Sequence, residues 1–204
     1  MKIKICGLSR PEDIEYANEL LPDYIGFVFW SKSKRRVTKE QATQLKAQLS
    51  PEIQAVGVFV DAPAKEVAQL LQQGIIDIAQ LHGEETEEDL RYIQAVTGKP
   101  VIKAVKVRNR YDVEAWLDSA ADYLLFDSGM GSGETFDWSL LSGVNREYFL
   151  AGGLSPENLG EVLKHGSPYA VDLSSSVETD GRKDALKMRR VVELVRSYDD
   201  RSKA

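Results

Sequence analysis

Residues 148–176 read YFLAGGLSPENLGEVLKHGSPYAVDLSSS. A short apolar run at 148–151 ends in paired glycines, and a second at 169–173 ends in three serines. Runs this short, rich in aromatic and branched residues, suit β-strands. Between them Ser155-Pro156 offers a capping serine followed by a proline, the residue favoured at a first helical position. The segment therefore reads strand, helix, strand. Two strands joined through a helix lie parallel, because the crossover is too long for a hairpin.

The same unit recurs along the chain. Further apolar runs occur at 3–6, 24–29, 54–60, 78–81, 101–107 and 122–126. Helical spacing between them places Ile14, Ala17, Leu20 and Leu21 on one face, then Val67, Leu70 and Leu71, then Leu90, Ile93 and Val96, and last Ala185, Met188, Val192 and Val195. Ser9-Arg10-Pro11-Glu12 and Thr38-Lys39-Glu40-Gln41 carry capping-box spacing. Shorter helices are expected at 112–118 and after Asp137. Eight strand–helix units fit a closed barrel or an open doubly wound sheet. The count of eight and the lack of Gly-x-Gly-x-x-Gly after the first strand favour the barrel. The expected fold is α/β, one (β/α)8 TIM barrel occupying 1–204 as a single domain.

Composition narrows the function classes. A net charge of −6 over 204 residues argues against a nucleic-acid partner. No apolar run approaches a membrane span, and no apolar leader precedes the first strand. The one cysteine, Cys6, cannot form an internal disulfide, which fits a reducing, cytoplasmic setting. The expected partner is a small molecule, with the chain a monomer or homodimer.

In such a barrel the site forms where the strands end. The first strand ends at Cys6-Gly7, and the second leads into WSKSKRRV with Arg35 and Arg36. The fourth ends Gln80-Leu81-His82-Gly83, and the sixth at Asp127-Ser128 before a loop containing Gly129, Gly131 and Gly133. The seventh ends Ala151-Gly152-Gly153 and the eighth Asp172-Leu173-Ser174-Ser175-Ser176. Reactive and polar residues thus gather on one side of the barrel. Glycines admit close backbone approach, and free N–H groups at a helix start bind anions. The paired loops after strands seven and eight point to a phosphorylated ligand. Each residue also has a plainer reading. A lone cysteine is most often packing, an aspartate after a strand a cap, and a short basic cluster solvated surface. Trp30, Trp116 and Trp138 are expected to pack.

KIKICGL, YIGFVFWSKSKRRV, VGVFV, QLHGEE, LLFDS with GSGETFDW, LAGGLSPENL and VDLSSSVET followed by Gly181 and Lys183-Asp184 run in order from residue 2 to 184. Together they resemble the phosphoribosylanthranilate isomerase family of tryptophan biosynthesis. The resemblance implies an Amadori rearrangement by general acid and base, with no cofactor and no metal. It implies Cys6 as base and Asp127 as acid. Arg35 would pair with the anthranilate carboxylate, and Gly152, Gly153, Ser174 and Ser175 would hold the phosphate. His82 and Asp172 would line the pocket. The basic loop and helix N-termini should lower the Cys6 thiol pKa, and apolar surroundings should raise that of Asp127. Two departures stand out. Ser176 occupies a usual glycine position, with strain if positive φ is needed, and the loop after strand six lacks the usual Gly-Gly-Thr-Gly form. A sugar-phosphate isomerase of histidine biosynthesis and a non-catalytic phosphate-binding barrel are alternatives. The first would use an aspartate where Cys6 stands.

Overall fold

Eight parallel strands close into a barrel in the order β1 to β8 in the computed structural model, which describes residues 1–129 and 135–201. The strands are β1 Lys2–Cys6, β2 Tyr24–Val28, β3 Gln54–Phe59, β4 Ile78–Leu81, β5 Val101–Lys106, β6 Tyr123–Asp127, β7 Tyr148–Leu150 and β8 Ala170–Leu173. Helices α1 Pro11–Leu20, α2 Lys39–Lys46, α3 Ala64–Gln72, α4 Glu87–Thr97, α5 Arg110–Glu114, α6 Leu159–His165 and α7 Ala185–Arg201 return the chain from one strand to the next. After β6 the described return is a single 3-10 turn at Trp138–Leu141. The two-residue strands β9 Glu178–Thr179 and β10 Arg182–Lys183 form a hairpin beyond β8.

Alternation along each strand sorts side chains between two cores. On β1, Ile3 and Ile5 face outward and pack with Ile14 and Ala17 of α1 and Met188 and Val192 of α7. A second cluster fills the barrel itself, built on Tyr24, Val56, Ile78, Ile102, Leu125 and Phe149. Lys4 and Cys6 share the inward parity of β1. Two expected helix-face residues lie outside these cores. Leu21 follows α1 in a left-handed conformation, φ 49°, and Val96 is exposed.

Two starts differ from the sequence expectation. The first helix is capped at Arg10, because Pro11 takes the first helical position. Asp13 closes that turn, accepting from the N–H groups of Ser9 and Arg10 and from the Arg10 guanidinium. The helix after β7 begins at Leu159, while Ser155 to Asn158 form a turn in which Asn158 Oδ1 accepts from the Ser155 N–H. The Thr38–Gln41 box is present as expected.

A repeated carboxylate device organises the lower rim. Asp23 Oδ2 accepts from the Ile3 N–H, Asp77 Oδ2 from Ala55 and Asp122 Oδ2 from Val101. Each aspartate immediately precedes an even-numbered strand and holds the first turn of the odd-numbered strand beside it. Replacing Asp77 or Asp122 by alanine leaves a strand amide without its partner. Each substitution should cost about 1 kcal/mol, read as a lower urea midpoint with unchanged m.

Candidate active site

All nine sequence-predicted site residues line one cavity of about 400 Å3 at the C-terminal ends of the strands. Cys6, Arg35, His82, Asp127, Gly152, Gly153, Asp172, Ser174 and Ser175 are joined there by Trp30, Gln80 and Ser176. Trp30 forms part of the cavity wall. Gly131 and Gly133 lie outside the described residues.

A chain of polar side chains runs along the cavity, with Lys4 outside its lining. Lys4, fully buried, donates to Asp172 Oδ2 at 2.5 Å and to Gln80 Oε1 at 2.9 Å. Gln80 Nε2 lies 3.1 Å from His82 Nδ1, and His82 Nε2 lies 3.3 Å from Asp127 Oδ2. Sequence reasoning passed over Lys4 and gave Gln80 no role. The signal for Lys4 was the Lys-Ile-Lys-Ile-Cys alternation, which puts it on the same strand face as Cys6. His82 is held by the loop that follows it. The buried Lys103 ammonium bonds Glu85 at 2.9 Å, and Glu85 accepts from the N–H groups of Asp61 and Gly83.

A second charged group stands at the other side of the thiol. Glu178 on β9 receives a two-pronged bond from Arg35, Nε to Oε1 at 2.6 Å and Nη2 to Oε2 at 2.8 Å. Lys183 on β10 donates to the same carboxylate at 2.6 Å and to the Ser174 carbonyl at 2.9 Å. Burial raises the Glu178 carboxyl, but the Arg35 and Lys183 bonds outweigh it and hold the group below the usual range. Arg35, assigned from the resemblance to a ligand carboxylate, thus already grips one inside the protein.

The two reactive groups depart from their expected acidities. Burial pushes the Cys6 thiol up, with Lys4 and Lys183 pulling the other way without prevailing. The expected lowering fails because burial of the thiol outweighs the nearby cations, while Arg35 makes its two-pronged bond to Glu178. Asp127 behaves in the opposite sense. Burial raises it, yet His82, the Gly129 amide and the Ser128 hydroxyl together bring it below its ordinary value. Burial of the carboxyl thus does not decide its acidity.

Another side of the cavity is built from glycine and serine loops. Gly152 and Gly153 adopt φ of 86° and 62°, and a Cβ on Gly152 would stand 2.7 Å from Asp127 Oδ1. No larger residue fits there without moving the carboxylate. Across the mouth, Ser174 Oγ donates to the Cys6 carbonyl at 3.0 Å. Ser176 sits in a 3-10 turn, Ser175–Val177, and is not among the positive-φ residues, so the strain considered for it does not arise. Among the described residues no three His, Cys, Asp or Glu side chains gather as a metal site, and no helix is long and apolar enough to cross a membrane.

Comparison with known proteins agrees with this geometry. The family model described as N-(5'phosphoribosyl)anthranilate (PRA) isomerase matches residues 3–194. An N-(5'-phosphoribosyl)anthranilate isomerase of Thermoanaerobacter sp. (strain X514) is 44% identical over 203 residues, 96% of this chain and 98% of that protein. The crystal structure of the phosphoribosyl anthranilate isomerase from Thermus thermophilus superposes with TM-score 0.88 at 39% identity, covering 97% of this chain and 100% of its own. A phosphoribosyl anthranilate isomerase in complex with reduced 1-(o-carboxyphenylamino)-1-deoxyribulose 5-phosphate superposes at TM-score 0.86 and 35% identity, covering 97% of this chain and 99% of its own.

The raised thiol is directly measurable. Iodoacetamide alkylation of Cys6 followed against pH should reach half its limiting rate above the ~8.5 of a free thiol. Lys183→Met should move that midpoint higher still.

Proposed function

We propose, from the premise that the chain belongs to the N-(5'-phosphoribosyl)anthranilate isomerase family, that Cys6 and Asp127 are the base and acid of its reaction. The chain is an isomerase of tryptophan biosynthesis. The reaction converts N-(5'-phosphoribosyl)anthranilate to 1-(o-carboxyphenylamino)-1-deoxyribulose 5-phosphate, an Amadori rearrangement. The family match replaces the histidine-pathway alternative and the non-catalytic one. One observation carries the assignment of roles: the thiol, the carboxyl and the two glycine- and serine-rich loops open onto the same cavity.

Asp127 gives a proton to the furanose oxygen, the C1–O bond breaks, and the nitrogen lone pair completes a protonated Schiff base. The Cys6 thiolate takes the proton from C2, the electrons of that C–H bond form the C1=C2 double bond, and the C=N π electrons return to nitrogen, giving an enolamine. Ketonisation gives the product. Both groups must shift from their resting acidities. An anionic substrate and the loss of water oppose the ionised Asp127, so the bound complex favours its protonated form. Lys4 and Lys183, both near the sulfur, favour the thiolate once a proton acceptor is needed.

The phosphate is assigned to the Gly152–Gly153 and Ser174–Ser175 backbone. Arg35 is assigned to the anthranilate carboxylate, with planar guanidinium and planar acid matched. Asp172 Oδ1 is buried without a partner and is assigned to a substrate hydroxyl. His82 is assigned to the same wall of the pocket. We place the protein in the cytoplasm, as monomer or homodimer, since a solved relative from Thermotoga maritima is described as dimeric.

The test is turnover of freshly prepared phosphoribosylanthranilate, followed as loss of its fluorescence. Cys6→Ala and Asp127→Asn should each lower kcat by about a hundredfold or more, and Arg35→Ala should mainly raise KM. Wild-type rates in Cys6→Ala would remove the base assignment.

A further inference from the structure

We propose that Lys4 and Gln80 act as positioning residues that fix the neutral His82 imidazole in the tautomer with its proton on Nε2, so that Asp127 is met by the Nε2–H donor. The inference rests on the assignment of Asp127 as the acid.

The argument follows from which groups can only donate. A lysine ammonium has three donors and no acceptor. The Gln80 atom it meets at 2.9 Å must therefore be the carbonyl oxygen, and the amide cannot be turned round. The end of Gln80 facing His82 is then the NH2 group, which can only donate. His82 Nδ1, at 3.1 Å, must accept. An imidazole nitrogen that accepts carries no proton, so the ring's one proton sits on Nε2, which faces Asp127 Oδ2 at 3.3 Å. Protonating Nδ1 would set two donors against each other in a buried place, since Gln80 is almost wholly enclosed. Lys4 cannot turn away, because Asp172 holds its ammonium.

The consequence reaches the acid. With Oδ2 taken by the Nε2–H, the proton that Asp127 transfers belongs on Oδ1, the oxygen 3.4 Å from the Ser128 hydroxyl and next to the space a side chain on Gly152 would fill. An imidazolium in place of the neutral ring would pin Asp127 as a carboxylate and leave no proton to give. Gln80 thus does for His82 what a fixed partner does for any histidine whose tautomer matters.

The chain has two histidines, and His165 on α6 lies outside the cavity, so His165→Asn leaves one imidazole to observe. In that background, 15N-labelled His82 should give one unprotonated Nδ1 and one protonated Nε2 resonance at neutral pH. Gln80→Glu replaces the donor by an acceptor and should move a proton onto Nδ1. The same change should lower kcat about tenfold or more with KM within about twofold. Gln80→Leu, which leaves no partner of either kind, should lose the single fixed tautomer. A wild-type His82 protonated on Nδ1, or doubly protonated at neutral pH, overturns the proposal. So does a Gln80→Glu protein with a moved proton and unchanged kcat. Failure of the wild-type chain to turn over phosphoribosylanthranilate would instead strike the acid assignment, because the spectrum reports the tautomer with no substrate present.

Discussion

One enclosed ammonium group governs the mouth of this barrel. Lys4 lies on β1 directly opposite Asp172 on β8, the strand pair that closes the cylinder. A buried cation survives only where partners replace its water. Asp172 supplies the charge and Gln80 a neutral oxygen, and the Cys6 thiol is a further neighbour. Burial works against the Lys4 charge, but Asp172 and Cys6 outweigh it and keep the group protonated above the ordinary lysine range. Closing the barrel and arranging the site are therefore one physical problem, solved by the same side chain. Removing Asp172 would strand the ammonium at the seam and unsettle both.

Around that cation the site divides into two halves. On one, Gln80 and His82 carry its influence to Asp127. On the other, Glu178 gathers Arg35 and Lys183 beside the thiol. The hairpin of β9 and β10 sets the second half, since Glu178 and Lys183 are paired across it. Both groups are shifted away from the acidity their proposed roles require: burial raises the Cys6 thiol, and His82, Gly129 and Ser128 lower the Asp127 carboxyl. Each has neighbours that pull its acidity in both directions.

Much of this was legible in the residues and some was not. The strands were clear because short branched runs end at glycine or polar residues, as in FVFW and AGGLS, and the structure places them within a residue or two. Site positions followed once the barrel was accepted, because its strand ends converge. Helix starts were harder. Ser9 and Ser155 have the right chemistry, but a proline at 11 and an asparagine at 158 moved the caps. The charged networks were the least legible. Lys4 and Asp172 stand 168 positions apart, and Arg35 and Glu178 stand 143 apart, so no local pattern joins them. The acidities failed because they turn on burial and on partners such as His82 for Asp127 and Asp172 and Lys183 for Cys6, which come from other strands and loops.

The grip of Glu178 on Arg35 bears on which acids the proposed Arg35 subsite would hold. The guanidinium already has an intramolecular competitor, tethered at a high effective concentration. A simple carboxylic acid drifting in from solution must displace that tenant with nothing else to hold it in place. A molecule anchored at a second point gains the same advantage of proximity and can contest the fork on equal terms. On the proposed assignment, discrimination against stray acids would come from two-point attachment.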